Sequence, residues 1–358
     1  MQRCTLGRPD GRIHLDGGGV TAARRPTMHD VARRAGVSLK TVSNVVNDDP
    51  RVLTQNRERV QAAITELGYR PNISARNLRS GRSGVISLAV PELSQAYFAQ
   101  LANDVIKAAD ARGLVVLVEQ TGGQSDRELE VLRSPRLSLS DGLLFSPLGL
   151  TTAHVAPIQV EFPVVILGER LLDGPVDNIT MENRAGAEAA TAHLLSLGRR
   201  RVALIGVHAG ETRSTAGLRM AGYQDALQAA GLPFDDALVT PVEVWDRASG
   251  AQAMCQLLDS GVTPDAVFAM NDDLALGALR VLLDRGLHVP KDVALMGFDD
   301  VDECSYSVPR LSTIDPGRRR IAELAVDLLI ERIGKRGRGP GREVAPPFQL
   351  IARESTSP

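Results

Sequence analysis

Hydrophobic positions along the chain change their spacing near residue 83, and each spacing predicts its own elements. Upstream, apolar residues recur at helical intervals. Thr27 with Asp30 three residues on makes a capping-box start, and Gly36 suits the left-handed stop of a short helix. Ser38 caps a second helix from Leu39 to Val46, with Val42, Val45 and Val46 on its buried side. The run Asn47-Asp48-Asp49-Pro50 is a break. A third helix starts at Thr54, carries Val60, Ala63, Ile64 and Leu67 at i, i+3, i+4 and i+7, and ends at Gly68. Two short helices around a turn containing Gly36, braced by a third, predict a helix-turn-helix domain over 26–71. Pro71 then opens a segment, Asn72 to Ser80, with Arg76, Arg79 and Arg82 three apart; it is too short to hold a helix alone in water.

Downstream, apolar runs alternate with amphipathic stretches. Strands are expected at Val85–Val90, Leu114–Val118, Gly142–Phe145 and Val164–Leu167, with a helix from Leu101 to Arg112. A second series places strands at Val202–Ile205, Ala266–Ala269 and Val293–Met296. Helices at Ala185–Leu197, Arg219–Ala230, Ala248–Ser260 and Leu274–Arg285 alternate with them. This is an α/β body of doubly wound parallel sheets, and two series imply two lobes around a cleft. Gly149, Gly168 and Gly206 are isolated and read as turn residues.

Length and charge sharpen this division. The 358 residues exceed one domain, and the net charge of −2 hides an uneven distribution. Residues 24–82 hold 12 Lys and Arg against 5 Asp and Glu, whereas residues 83–358 hold 26 against 36. A basic head on an acidic body points to a polyanion-binding module fused to a second function. Aromatics at 3 % argue against a surface of stacked rings. No apolar run is long enough to span a membrane. Cys4, Cys255 and Cys304 are scattered and form no metal or redox motif, so Cys255 and Cys304 are expected to pack. Residues 1–25 lack an apolar signal region and read as a disordered arm or an upstream start before Met28. Cytoplasmic residence is therefore expected.

The second helix carries the candidate chemistry of the head. Leu39, Lys40, Ser43, Asn44 and Asn47 oppose its valines, and helix-turn-helix proteins lay this element in the major groove of DNA. Lys40 suits guanine O6 or N7, Asn44 suits adenine N6 and N7, and Leu39 a thymine methyl. Ser38, Thr41, Ser43 and Asn47 suit phosphate oxygens. The competing account is a small solvated bundle with a polar face, which the concentration of positive charge disfavours.

The pattern Asp30-Val31-Ala32-x-x-Ala35-Gly36-Val37-Ser38-x-x-Thr41-Val42-Ser43-x-Val45-Val46-Asn47 resembles the head of the lactose repressor/galactose repressor family. So does Gly68-Tyr69-Arg70-Pro71-Asn72 followed by Ala75-Arg76-x-Leu78-Arg79-x-Gly81-Arg82. The resemblance runs from about Thr27 to Ser357. It implies a hinge helix over 72–82 that folds on operator DNA, with Leu78 between Arg76 and Arg79 wedged into a minor-groove base step. Leu78 packing the hinge against the body is the alternative. It also implies a periplasmic-binding-protein-like body, with a first lobe of 83–180 and 315–340 and a second of 181–314 and 341–358. A homodimer on double-stranded palindromic operator DNA, answering a small-molecule effector, most simply a carbohydrate, follows from the same resemblance.

In the body, the sequence after Val90 is Pro91-Glu92-Leu93-Ser94-Gln95-Ala96-Tyr97-Phe98, without the glycines of a dinucleotide fold. No Ser/His/Asp set or metal-spaced histidine cluster appears. An enzyme, a cofactor and a bound metal are therefore not expected, and an exported sugar-binding protein would lack the basic head. Ligands of two-lobed α/β proteins lie where strand ends face the cleft. Asn271-Asp272-Asp273 follows one strand, Gly297-Phe298-Asp299-Asp300 another, and Arg219 opens a helix. By the resemblance, Arg219, Asn271 and Asp299 form the effector site, a set of donors and acceptors suited to vicinal hydroxyls. Trp245, the sole tryptophan, matches a ligand-stacking position or serves the core, and Tyr97 and Phe98 add apolar surface. Asp272, Asp273 and Asp300 read as caps or salt-bridge partners. The chain departs from the family at Asp315-Pro316-Gly317-Arg318, at Gln95-Ala96 and at the early Pro135, positions that bear on which sugar is taken.

Overall fold

The computed structural model describes residues 26–46, 49–69, 82–150, 162–169, 176–208, 214–335 and 339–357. The chain divides into two compact units at Arg79/Ser80. Asn47, Arg76, Leu78, Arg79 and the 72–80 segment lie outside the described residues, as does Cys4.

The first unit holds α1 (Met28–Ala35), α2 (Leu39–Val46) and α3 (Thr54–Leu67). Its capping box is made as the sequence implies. The Thr27 N–H donates to Asp30 Oδ2 at 2.9 Å, and the Asp30 N–H to Thr27 Oγ1 at 3.4 Å. Gly36 closes α1 at φ 63°, a conformation that a Cβ would strain. Val31, Val42 and Val60, one from each helix, are fully buried and form the core with Ala63 and Tyr69.

The second unit has two sheets. In the first lobe, β1 (Val85–Val90), β2 (Val115–Gln120), β3 (Leu143–Phe145), β4 (Val164–Leu167) and β5 (Asp177–Ile179) are joined by β11 (Glu343–Val344) in the order β11-β5-β4-β3-β1-β2. Every pairing is parallel, so both faces of the inner strands are covered. Ile86, Leu88 and Val90 pack on Leu101 and Val105 of α4 (Ala96–Asp110) and on Val326 and Leu329 of α10 (Arg318–Gly334). Phe145, Val164 and Ile166 face the other way, towards Val131 of α5 (Ser125–Arg133).

The second lobe carries β6 (Val202–Val207), β7 (Val239–Pro241), β8 (Ala266–Ala269) and β9 (Ala294–Met296) in the order β7-β6-β8-β9, again parallel. Around it lie α6 (Asn183–Ser196), α7 (Thr215–Ala229), α8 (Arg247–Asp259) and α9 (Asp272–Asp284). β10 (Thr313–Asp315) and β12 (Gln349–Ile351) form an antiparallel pair.

Several features differ from the sequence reading, among them the start of α7, which begins at Thr215 so that Arg219 lies one turn inside it. Gly206 is not in a turn: it lies inside β6 at φ 118°, where the register against β7 slips and an added Cβ would stand 2.9 Å from Met270 Cβ. β2 is an edge strand, with Val115 and Leu117 exposed by 60 % and 48 %; among the described residues only β1 pairs with it. The stretch 341–358 does not belong wholly to the second lobe, since Glu343–Val344 pairs with β5 before the chain crosses to β12. Cys304 packs in the core and Cys255 is half-buried, as expected.

Asp177 explains why β11 joins the first sheet. Its fully buried carboxylate accepts from Arg332 Nε and Nη2 at 2.8 and 2.7 Å, and from Arg342 N, Nε and Nη2 at 2.8–3.1 Å. Burial alone would raise its pKa, but the two guanidiniums prevail and hold it well below the usual range. Asp177→Ala takes the countercharge from the buried Arg332, leaving it the Gly339 and Pro340 carbonyls, and should cost about 3–5 kcal/mol in urea unfolding at pH 7. Because the folded pKa is depressed, this stabilisation is present above the ordinary carboxylate pKa and fades only as pH falls below it. A variant as stable as the wild type would remove the clamp from the account of this lobe.

Candidate functional site

Two surfaces bear chemistry. On the head, α2 turns Val42 and Val45 inward, which leaves Ser38 and Lys40 exposed and Leu39, Thr41, Ser43 and Asn44 half-buried along its outer side. The Ser38 hydroxyl accepts from the Thr41 N–H at 3.1 Å and lies 2.9 Å from Thr41 Oγ1, so both help to start the helix. Lys40 and Asn44, one turn apart, are carried on one side of a rigidly packed element.

On the body, the centre is Arg219 of α7, exposed by only 2 %. Its Nε donates to Asn183 Oδ1 at 2.8 Å, its Nη1 to the Met270 carbonyl, and its Nη2 lies 3.5 Å from Asp299 Oδ1. The guanidinium carbon stands 3.5 Å over the Phe298 ring and 5.6 Å from the Trp245 ring. Burial lowers the Arg219 pKa, and Asp299 opposes that.

Asp299 is pushed up to about 7, first by burial and then by Asp273, with Arg219 and Arg318 pulling the other way. The loop that presents it is strained, with Asp299 at φ 117° and Asp300 at φ 47°. Asp272 holds this loop. Its carboxylate accepts from the Val301 N–H at 3.0 Å and from Thr313 Oγ1 at 2.7 Å, and burial raises its pKa well above the ordinary value. Asp273 instead pairs with Arg247 at 2.7 Å, and Asp300 with Arg353 at 2.6 Å, the salt-bridge roles read from the sequence.

The other expected residues divide. Trp245 donates its indole N–H to the Gly206 carbonyl at 2.9 Å, which the bulge in β6 turns towards it. Asn271 caps α9, accepting from the Leu274 N–H at 2.8 Å and donating to the Trp245 carbonyl at 3.3 Å, so its side chain sets the position of Trp245. Tyr97 reaches the group electrostatically, near Asp299, Arg318 and Arg219, and burial raises its phenol. Phe98 is buried in the first-lobe core, edge-on to Tyr97 at 5.3 Å.

Two participants were not picked out from the sequence. Asn183 opens α6 and donates to Glu169 Oε1 at 2.6 Å. Glu169, which also accepts from Thr180 Oγ1 at 3.2 Å, is raised by burial. Glu169 follows β4 directly, so the strand-end criterion that singled out Asn271 and Asp299 applies to it equally. The two lobes also touch along one face of α4. The Ala96 N–H donates to Asp273 at 3.4 Å and Gln100 to Glu303 at 3.1 Å, while Arg318, held by Asp104 within the first lobe at 3.1 Å, donates across to the Asp300 carbonyl at 3.3 Å. Among the described residues no cluster of three or more His, Cys, Asp or Glu is placed to hold a metal ion. Nor is any helix there long and apolar enough to cross a membrane.

Comparison with known proteins finds matches to both units of the chain. Residues 27–72 match the bacterial regulatory proteins of the lacI family, and residues 191–356 match a periplasmic binding protein-like domain. A structure from Sanguibacter keddieii, assigned to the LacI family of transcriptional regulators, is 61 % identical over 77 % of this chain and 100 % of that one, with a TM-score of 0.73. The complex of the transcriptional regulator CelR with cellobiose is 31 % identical over 92 % and 100 % of the two chains, with a TM-score of 0.67. The lac repressor dimer bound to operator and the anti-inducer ONPF is 28 % identical over 93 % and 99 %, with a TM-score of 0.78. With a helix-turn-helix head and a two-lobed body both matched, the chain belongs to the lacI family of bacterial transcriptional regulators.

Proposed function

We propose that this regulator works in the cytoplasm without enzymatic activity, binding a palindromic operator as a homodimer and responding to a sugar held around Arg219 and Asp299. The observation that carries the sugar is the buried pairing of a guanidinium with a carboxylate beside Trp245 and Phe298. Hydroxyls offer a donor to Asp299 and an acceptor to Arg219 in one group, and the half-buried Trp245 indole covers the apolar face of a pyranose or furanose, while Phe298 backs the guanidinium. Cellobiose in the CelR complex is a ligand of this class. Asn271 and Phe98 support the site by holding Trp245 and Tyr97.

On the head, Lys40 and Asn44 read base edges, Leu39 meets a thymine methyl, and Ser38, Thr41, Ser43 and Asn47 contact phosphates. Half-sites one helical turn apart require two heads. The lac repressor binds operator as a dimer, and the exposed apolar side chains Ile106, Val115, Leu117 and Val118 offer the body a dry face for a second copy. Residues 72–82, with Arg76, Leu78 and Arg79, join head to body as a hinge that folds on DNA. The domain limits proposed are 26–71, 72–82, and lobes of 83–180 with 315–344 and 181–314 with 345–358. Sugar binding changes the lobe angle and hence hinge pairing, a coupling of about 5–150-fold in operator affinity.

DNA upstream of the chain's own gene is the first probe. Anisotropy titrations should give sequence-dependent binding whose affinity falls with salt. Asn44→Ala should weaken discrimination at its base by about 1–3 kcal/mol. A steep salt slope with no sequence preference would sink the operator reading. Leu78→Ala should weaken specific binding and spare nonspecific binding; equal losses would dispose of the wedge.

A thermal-shift screen of neutral mono- and disaccharides tests the body. Asp299 accepts hydroxyl protons as a carboxylate, so affinity for a hit should rise as pH passes upward through about 7. The charged groups facing it are Arg219, Arg318, Asp272 and Asp273. Asp299→Asn should abolish this pH dependence and most of the sugar response while keeping sugar-free operator binding. An unchanged response removes Asp299 from the site.

A further inference from the structure

The described contacts form one continuous chain from Asp299 through Arg219 and Asn183 to Glu169, with links of 3.5, 2.8 and 2.6 Å. Its middle is sealed, Arg219 and Asn183 being exposed by 2 % and 3 %. Its ends lie in different lobes. Asp299 follows the second-lobe strand β9, Glu169 follows the first-lobe strand β4, and Asn183 stands where the chain enters the second lobe at α6.

We propose that Glu169 is a positioning residue of the sugar site, fixing Arg219 through Asn183 from across the lobe boundary. This rests on the reading of Arg219 and Asp299 as sugar-binding groups. The chemistry follows from the Asn183 carboxamide. Its Oδ1 accepts from Arg219 only while its Nδ2 faces an acceptor, and Glu169 Oε1 is that acceptor. Without Glu169 the amide keeps only its bond from Arg219, its Nδ2 has lost its acceptor, and Asn183 no longer fixes the Arg219 Nε against the first lobe. Because Glu169 is anchored by Thr180 on the first-lobe side, a change of lobe angle alters the position of Arg219. Occupancy of the site and lobe angle are thereby linked through a single amide.

Trp245 supplies a readout that needs no sugar. It is the only tryptophan in the chain, and the Arg219 guanidinium lies 5.6 Å from its ring, so displacement of Arg219 alters its emission. Full-length Glu169→Ala should give a Trp245 emission spectrum distinct from wild type. Glu169→Gln, which keeps Oε1 as an acceptor, should restore the wild-type spectrum. Circular dichroism should be unchanged in both. Titrated with D-ribose, cellobiose and any hit of the saccharide screen, Glu169→Ala should bind about tenfold more weakly than wild type, the scale of one hydrogen bond to a charged group. Glu169→Gln should stay near wild type.

A Glu169→Ala spectrum superimposable on wild type overturns the proposal whether or not a sugar binds. So does a Glu169→Gln spectrum as altered as that of Ala, which would make the charge and not the acceptor decisive. A wild-type protein that binds no saccharide at all overturns the sugar reading instead. Should Glu169→Ala fail to fold, Glu169→Gln together with Thr180→Val, which loosens the anchor of Glu169, carries the same test. In that case an unmoved Trp245 spectrum in Thr180→Val overturns it.

Discussion

A guanidinium taken almost wholly out of water has to find its hydration shell again inside the protein, and Arg219 organises the second lobe on that condition. Isolated, it would cost many kcal/mol; here it meets a carbonyl, an amide oxygen, a carboxylate and two aromatic faces. Each partner comes from a different segment: Met270 from the end of β8, Asn183 from the entry to α6, Asp299 from the loop after β9. The cleft floor therefore cannot form piecemeal. It exists only when the strand ends, the crossover and the strained loop are all in place.

That loop illustrates the cost of presenting a carboxylate in such a position. Two successive aspartates at positive φ are held by Asp272, whose own burial without a cation pushes it towards the protonated form. The bulge at Gly206 does similar work on the other side, turning a strand carbonyl towards the indole of Trp245. Strain and burial collect around Arg219, while the first-lobe clamp at Asp177 is saturated by two arginines. The contrast is between a buried carboxylate met by two cations and one held without any.

Much of the architecture was legible as pattern. The capping box, Gly36 and the valine face of α2 delivered the head almost residue for residue, because local hydrogen bonding and helical spacing decide short helices. Val164–Leu167 and Ala266–Ala269 were likewise placed to the residue. The start of α4 was missed by five residues, since Ala96-Tyr97-Phe98 carries no capping side chain and is helical through its packing. β5, β7 and β11 are too short to show a period, and they exist because longer neighbours offer them hydrogen bonds.

By itself the sequence determined the division into a basic helical head and an acidic two-lobed body, and its resemblance to the family grouped Arg219, Asn271 and Asp299 as an expected effector site. Charge distribution and periodicity are summed over many residues, so they survive without coordinates. Only the tertiary structure decided which side chains meet. It spent Asn271 on a helix cap, placed Phe98 in the core, drew Asn183 and Glu169 to Arg219, and gave Glu343–Val344 to the first sheet. Those outcomes turn on distances of a few ångströms between residues far apart in the chain, and neither spacing nor composition carries that information.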